Sequence, residues 1–492
     1  MAKNPKAANN RRPTRKPRAA AAAAIALSGD IEDLAAPSGS IKAAGAAAKA
    51  VRAELLRWYE ANRRDLPWRR AGERGGGGGE EERAYAVWVS EVMLQQTRVP
   101  VVVDYYSRWM ARWPSVHALA AATQEEVNEM WAGLGYYRRA RFLLEGAKQI
   151  VEKGEFPHTA SALREVRGIG DYTAGAIASI AFNEVVPVVD GNVVRVISRL
   201  YAIPDNPKES STFSHTAMFE LEAVGGFILI WKLPHGPEQF FLDYREITGQ
   251  LVDPSRPGDF NQAMMELGAT LCSKTKPSCS QCPVSSHCQA LALSSQNASV
   301  KVTDYPRVVP KAKPRCDFAA VCVVQIAQDF DQGIAYATGN DNLFLLIKRP
   351  EKGLLAGLWE FPSVLVNEGK TDGLNRRKEM DKYLKQLLRI DVKRRSSVIL
   401  REDVGQHVHI FSHIRLTMFV ELMILNLKDA VDKLCDEGQD STKLRFIDEK
   451  AVESMGLTSG IRKVYNMVKD FKEKRLTEQS QVPTRKRSRR LK

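Results

Sequence analysis

Cys272, Cys279, Cys282 and Cys288 follow the spacing C-x6-C-x2-C-x5-C, four thiols within seventeen residues. Thiolates are soft ligands, and clustered cysteines in a chain that keeps them reduced serve metals rather than disulfides. Four cysteinates suit either a [4Fe–4S] cluster or a structural zinc. Zinc ribbons carry two separated C-x2-C knuckles and this loop has one, which favours a [4Fe–4S] cofactor. Cys316, Cys322 and Cys435 stand alone and read as small core residues.

Two carboxylic acids upstream occupy settings that suit proton and charge chemistry. Glu91 lies in Ser90-Glu91-Val92-Met93-Leu94-Gln95-Gln96-Thr97, which is helical by its Val89, Val92, Met93 stripe. Trp88 at i−3 and other apolar neighbours raise a carboxyl pKa toward what a proton donor needs, although a helix glutamate taken alone is ordinarily solvated surface. Asp190 is delivered by the extended run Val185-Val186-Pro187-Val188-Val189 to the start of a helix marked by Val193, Val196, Ile197 and Leu200, which makes it an N-cap. The helix dipole holds such a carboxylate ionised, which also suits a group that stabilises positive charge on a sugar.

Between them, Val166-Arg167-Gly168-Ile169-Gly170-Asp171-Tyr172-Thr173-Ala174 places two glycines in a tight turn between helical segments. Its backbone N–H groups and the following helix N-terminus suit a DNA phosphate without reading any base, and an ordinary helix–turn–helix connection is the structural alternative.

The elements that must position these groups fall into two periodicities. Helical patterns run from Ala84 to about Leu293, after a helix over Ala47 to Asn62 and a Gly75 to Gly79 insertion. Past the proline-bearing linker 294–315, Ile414, Leu416, Met418, Val420, Leu422 and Ile424 alternate, Phe318 to Ile326 and Leu343 to Ile347 are strand-like, and Arg376 to Leu388 reads as a helix. The first region is all-α and the second α+β.

The formal charge is +14, but seven basic residues fall in the first eighteen and six in Arg485 to Lys492, with no acid in either tail. The body is therefore near neutral, so a DNA footprint must be a local patch. The tract Arg485-Lys486-Arg487-Ser488-Arg489-Arg490 reads as a nuclear localisation signal or a solvated tail, and the Ala- and Arg-rich start as an alternative mitochondrial or plastid transit peptide. The nucleus is the expected location. No apolar run approaches the ~20 residues of a membrane span.

Together these segments resemble the helix-hairpin-helix DNA glycosylases of the endonuclease III superfamily, and among them the MutY-type adenine DNA glycosylases. The resemblance covers most of 50–290 and extends into 315–465. It rests on the Ser90–Thr97 octet, Gly133-Leu134-Gly135-Tyr136-Tyr137, Asp190-Gly191-Asn192-Val193, Phe260-Asn261-Gln262-Ala263-Met264-Met265-Glu266-Leu267-Gly268 and the four cysteines. The resemblance implies a substrate of adenine mispaired with 8-oxoguanine in double-stranded DNA, the adenine being flipped into a pocket. By the same likeness Glu91 is the acid that protonates adenine N7, and Asp190 the carboxylate that stabilises the oxocarbenium-like sugar through a covalent intermediate. Asn192 and Tyr172 match neighbours that position them. Trp68, Arg69 and Gln262 match the adenine pocket, Gln96, Thr97, Leu134 and Tyr136 the probes of the opposite purine, and Gly168, Ile169 and Gly170 the backbone clamp. Tyr172 stands where bifunctional relatives carry a Schiff-base lysine, so a monofunctional enzyme is implied.

The C-terminal part resembles the family's Nudix-like 8-oxoguanine reader through Gly353-Leu354-Leu355-Ala356-Gly357-Leu358-Trp359-Glu360-Phe361-Pro362 and Phe411-Ser412-His413. The stretch after Glu360 lacks the paired glutamates that hold magnesium, which implies a binding module. His407, His409 and His413 raise the question of a metal, but their alternation beside a turn without carboxylates favours loop or strand histidines.

The expected organisation is a basic tail over 1–46, a helix-hairpin-helix glycosylase with its cluster loop over 47–293, a linker over 294–315, a Nudix-like domain over 316–470 and a second basic tail over 471–492. A monomer is expected, with DNA and with repair and replication proteins as partners, and no membrane. Two features depart from the family: Arg167 replaces the usual hairpin proline, and Met218 to Asp243 is an insertion with no counterpart. The competing readings are a bifunctional endonuclease III-like lyase, opposed by Tyr172, and a non-catalytic DNA-damage-binding protein, which would not need Glu91 and Asp190.

Overall fold

The computed structural model describes residues 38–70, 79–204, 237–308, 313–327, 343–350, 353–368, 372–388, 398–411, 413–426 and 443–480. Both basic tails beyond these bounds, most of the glycine run, most of the insertion, Ser412 and Cys435 lie outside the described residues. Nearly all described residues belong to one unit, Ala47–Ala217 with Lys232–Lys492; of the other, Met1–Ala46 with Met218–Trp231, only the start of the first helix is described.

The N-terminal region is helical throughout. Its elements are α1 (Ser38–Asn62), α2 (Glu80–Leu94), α3 (Val99–Arg112), α4 (Val116–Ala120), α5 (Gln124–Trp131), α6 (Arg138–Lys153), α7 (Ala160–Leu163), α8 (Asp171–Phe182), α9 (Gly191–Leu200), α10 (Pro237–Leu251), α11 (Pro257–Ala269) and α12 (Gln289–Gln296). Local chemistry sets several ends. Thr123 and Glu126 form a reciprocal capping box on α5, and Gly154, at φ 87°, closes α6 in the left-handed conformation.

Two apolar clusters hold these helices. One gathers Trp88, Trp109, Trp131 and Ile177 around α2 and α8, and the other gathers Leu55, Tyr59, Val193, Phe260 and Leu267 around α1, α9 and α11. Full burial of each such side chain contributes ~1.5–3 kcal/mol. The extended run before α9 crosses the seam, with Val188 in the first cluster and Val189 in the second, so Asp190 emerges where the two lobes meet. Met265 packs against both.

The hairpin turn uses its glycine for two reasons. Gly168 has φ +85°, and a Cβ there would lie 2.5 Å from Phe142 Cβ, so both torsion and space exclude a side chain. Gly170 then caps α8.

The C-terminal region is a mixed sheet between helices. Its strands are β1 (Arg315–Ala327), β2 (Leu343–Lys348), β3 (Trp359–Glu360), β4 (Ser363–Val366), β5 (Val398–Ile410), β6 (Ile414–Asn426) and β7 (Leu444–Asp448), with α13 (Gly373–Leu388) between β4 and β5. The order is β3-β2-β1-β6-β5, with β4 on β1 and β7 on β2. β1 and β6 run parallel from Arg315↔Ile414 to Ala327↔Asn426. The alternation in β6 sends Met418, Val420, Leu422 and Ile424 toward Ile461, Val464 and Val468 of the helix Ser459–Ser480, while Met423 and Leu425 pack with Met380 and Leu384 of α13.

The two regions touch. Leu358 is buried in the α2–α8 cluster, and Lys348 Nζ lies 3.9 Å from Glu125 Oε1. Gly456 approaches α5 so closely that a Cβ would meet Glu129 Cα at 2.6 Å.

A carboxylate-lined cavity as the candidate active site

A cavity of about 690 Å³ opens where the two helical lobes meet, lined by Trp68 and Arg69, Glu91 with Gln96 and Thr97, Tyr172, Asp190 and Asn192, and Gln262. Nine residues singled out in the sequence thus share one space, although up to 194 positions separate them. Glu266, Arg64 and Met265 complete much of the wall.

Glu91 is 6% exposed, on the buried face of α2. Burial pushes its carboxyl up to about 7; the Tyr172 hydrogen bond and the Arg69 charge oppose this, and Asp190 adds to it. Near neutral pH about half of it is therefore carboxylic acid with a proton to give, where an ordinary glutamate would be almost wholly ionised. The Tyr172 hydroxyl donates to Glu91 Oε2 and lies 3.3 Å from Met265 Sδ. Burial, with Glu91 and Asp190 adding, holds the Tyr172 phenol far above its usual pKa, so it stays a donor.

Asp190 caps α9. Its Oδ1 accepts from the backbone N–H groups of Asn192 (2.9 Å) and Val193 (2.8 Å), and its Oδ2 accepts from Asn192 Nδ2 (2.8 Å). Burial raises its pKa, opposed by these bonds and by the Arg195 charge. Capping alone leads one to expect an ionised group, and the structure adds a desolvation penalty to it. All three donors satisfy an acceptor-only carboxylate. Asn192 is itself held by Arg195, whose Nη2 donates to Asn192 Oδ1 (2.9 Å) and whose Nε donates to the Cys272 carbonyl (2.8 Å).

Sequence reasoning assigned no role to Glu266. It is 1% exposed and accepts from Arg64 Nε (2.6 Å) and Nη2 (2.9 Å) and from Arg69 Nη2 (2.8 Å). Burial alone would raise its pKa, but the two arginines outweigh this and hold it below the ordinary value. A fixed anion thereby orients Arg69 at the cavity and absorbs part of its charge.

Other sequence-selected residues lie elsewhere. Leu134 is buried, Tyr136 is 50% exposed with φ 49°, and neither lines the cavity. Gly168, Ile169 and Gly170 form the turn before α8. Phe411 and His413 sit at the β5–β6 turn, where the Phe411 ring meets His409 edge-on at 4.6 Å and its N–H donates to the Ile414 carbonyl (2.8 Å); Ser412 is outside the described residues. Burial, with the Lys463 charge adding, lowers the pKa of both His407 and His409 and so favours their neutral form.

The cysteine loop closes on α9. Arg199 Nη1 donates to Cys272 Sγ (3.3 Å), and Cys288 Sγ lies 3.4 Å from the Arg199 carbonyl. Burial pushes Cys282 up to about 12, and Cys272, Cys288 and Cys279 add to the rise, so the four sulfurs feel one another's charge. Thiols that resist ionising beside one another fit a centre that brings positive charge of its own, which would bind them as thiolates. Among the described residues, no three His, Cys, Asp or Glu side chains close on a single ion.

Residues 89–218 match the model of the HhH-GPD superfamily base excision DNA repair protein, and residues 334–467 match the NUDIX domain. The adenine DNA glycosylase of Arabidopsis thaliana is 48% identical over 462 residues, which cover 89% of this chain and 66% of the relative. That of Mus musculus is 38% identical over 462 residues, covering 86% of this chain and 79% of the relative. Among solved structures, a thermostable thymine-DNA glycosylase is similar over 51% of this chain and 99% of its own, at 22% identity and a TM-score of 0.39.

Proposed function

The chain belongs to the adenine DNA glycosylases, and from that premise we propose that it removes adenine paired with 8-oxoguanine or guanine in double-stranded DNA without cutting the strand. The observation that carries this reading is that Glu91 and Asp190 line one cavity in unlike environments, the first buried against a phenol and the second capped by three donors.

Glu91 gives its proton to N7 of an extruded adenine, which makes the base a neutral leaving group as the C1′–N9 bond breaks. The electron pair of that bond departs with adenine, and Asp190 meets the positive charge left on the sugar. Its carboxylate bonds to C1′ and is then displaced by water, whose proton passes to the Glu91 carboxylate as the C1′–O bond to Asp190 breaks. Tyr172 keeps one Glu91 oxygen occupied, so the proton is presented on the other. Asn192, steadied by Arg195, keeps Asp190 oriented. Tyr172 offers no amine, so no imine forms with the sugar and the backbone stays intact.

Cys272, Cys279, Cys282 and Cys288 would hold a [4Fe–4S] cluster, which supplies structural charge and a brace for the loop beside α9. Absorbance near ~400 nm separates it from zinc, whose filled d shell is colourless. Trp68, Arg69 and Gln262 frame the adenine; Gln96, Thr97, Leu134 and Tyr136 read the opposite purine; Gly168, Ile169 and Gly170 hold a phosphate; and Phe411, Ser412 and His413 serve 8-oxoguanine recognition. The Arg485–Arg490 tract supports a nuclear enzyme. The test is single-turnover release of adenine from A:8-oxoguanine and A:G duplexes, with and without alkali. Strand breaks that need alkali support the reading, and breaks without it, or no release, refute it.

A further inference from the structure

Arg139, in the first turn of α6, is 9% exposed, yet among the described residues none of its bonds goes to a carboxylate. Its Nη1 donates to the carbonyls of Val92 (2.9 Å), Met93 (3.0 Å) and Gln95 (2.5 Å), at the end of α2. Its Nη2 donates to the carbonyls of Leu134 (3.3 Å) and Gly135 (3.0 Å), and to Thr97 Oγ1 (3.3 Å). One planar fork therefore ties two chain segments together, the α2–α3 turn and the α5–α6 turn.

The residues those turns display are held in uncommon conformations. Gln96 has φ +60° and Tyr136 φ +49°, in the left-handed region that non-glycine residues rarely occupy. The Arg139 guanidinium also lies 5.5 Å from the Tyr136 ring centroid and 5.2 Å from that of Trp131. Its charge faces the last carbonyls of α2, where a cation is favoured. Burial lowers its pKa to about 10, so it stays charged at neutral pH.

The geometry points to Arg139 as the positioning residue that sets Gln96 and Thr97 against Leu134 and Tyr136, so that the base opposite adenine is read by one rigid unit. Arg139 does not line the cavity and touches neither acid, so its effect falls on discrimination and not on chemistry. Only arginine has donors arranged to reach both turns; a lysine ammonium is a point with three donors. This inference rests on the reading of those four residues as probes of the opposite purine.

The experiment measures single-turnover adenine release by the full chain with 8-oxoguanine, guanine or an abasic-site analogue opposite the adenine. Wild type is compared with Arg139→Lys, Arg139→Ala with and without methylguanidinium, and Tyr136→Ala. The expected result is a fall of at least about tenfold in the 8-oxoguanine-to-guanine rate ratio in both Arg139 variants, a difference of one decade in rate. Release opposite the abasic analogue should stay close to wild type, and methylguanidinium should restore the ratio in Arg139→Ala. Should the alanine variant not fold, Arg139→Lys, which keeps charge and bulk, carries the comparison. An unchanged ratio in a folded Arg139 variant while Tyr136→Ala loses it overturns the inference alone, as does an equal fall on all three duplexes. A wild-type ratio in Tyr136→Ala overturns the probe reading beneath it.

Discussion

The phenol of Tyr172 donates to Glu91 Oε2 and so joins α8 to the acid on α2. That bond favours the ionised carboxylate and partly offsets burial, which has lifted the group to about 7.

With Glu91 as the proposed acid, base release needs it protonated, so the rate should fall as pH rises through about 7. In Tyr172→Phe the bond is gone, and the neutral acid persists to higher pH. A hydrogen bond to a charged group is worth ~1.5–3 kcal/mol, which moves the alkaline limb upward by ~1 unit or more. Single-turnover rates from pH 5 to 9 check this, and a limb that stays in place or moves down contradicts it.

Glu266→Gln should move the same limb the other way. Glu266 pairs with Arg64 and Arg69, and the Arg69 charge already pulls Glu91 down. Without the buried anion that pull strengthens, so Glu91 ionises earlier and the limb shifts to lower pH. Stability falls as well, by less than the ~3–5 kcal/mol of a fully buried pair, because the Arg64 side chain keeps 38% of its surface exposed. An unmoved limb in a folded variant would show that Glu266 acts on packing alone.

Gly456→Ala tests the docking of the sheet domain on the helical one. Its methyl would meet Glu129 Cα at 2.6 Å and Asn128 O at 2.9 Å, both backbone atoms that cannot swing away. Overpacking of this kind costs ~1–3 kcal/mol. Thermal denaturation should show a lowered first transition, and an unchanged melt would mean that the contact is not kept in solution.

Short-range patterns made much of this fold legible. The Val193, Val196, Ile197, Leu200 stripe marks α9, and the even-numbered apolar residues of β6 mark one packed sheet face. The capping role of Asp190 also follows from its position, because a cap depends on the next three residues. What escaped depends on distance along the chain. Glu266 meets Arg64 across 202 positions, and Leu358 of the sheet domain is buried among helices. Periodicity reports which face of an element is apolar and not which partner fills it. Asp190 shows the same limit in its charge: the sequence reveals its cap, but only packing reveals how strongly burial works against ionisation.

The central claim is that Glu91 supplies the proton that lets adenine leave. The most direct measurement is adenine release by Glu91→Gln from an A:8-oxoguanine duplex, beside its affinity for the same duplex. Loss of a general acid costs about 10²–10⁴ in rate, so release should fall by that factor or more with duplex affinity kept, because the amide preserves shape without a transferable proton. Release at the wild-type rate would contradict the claim.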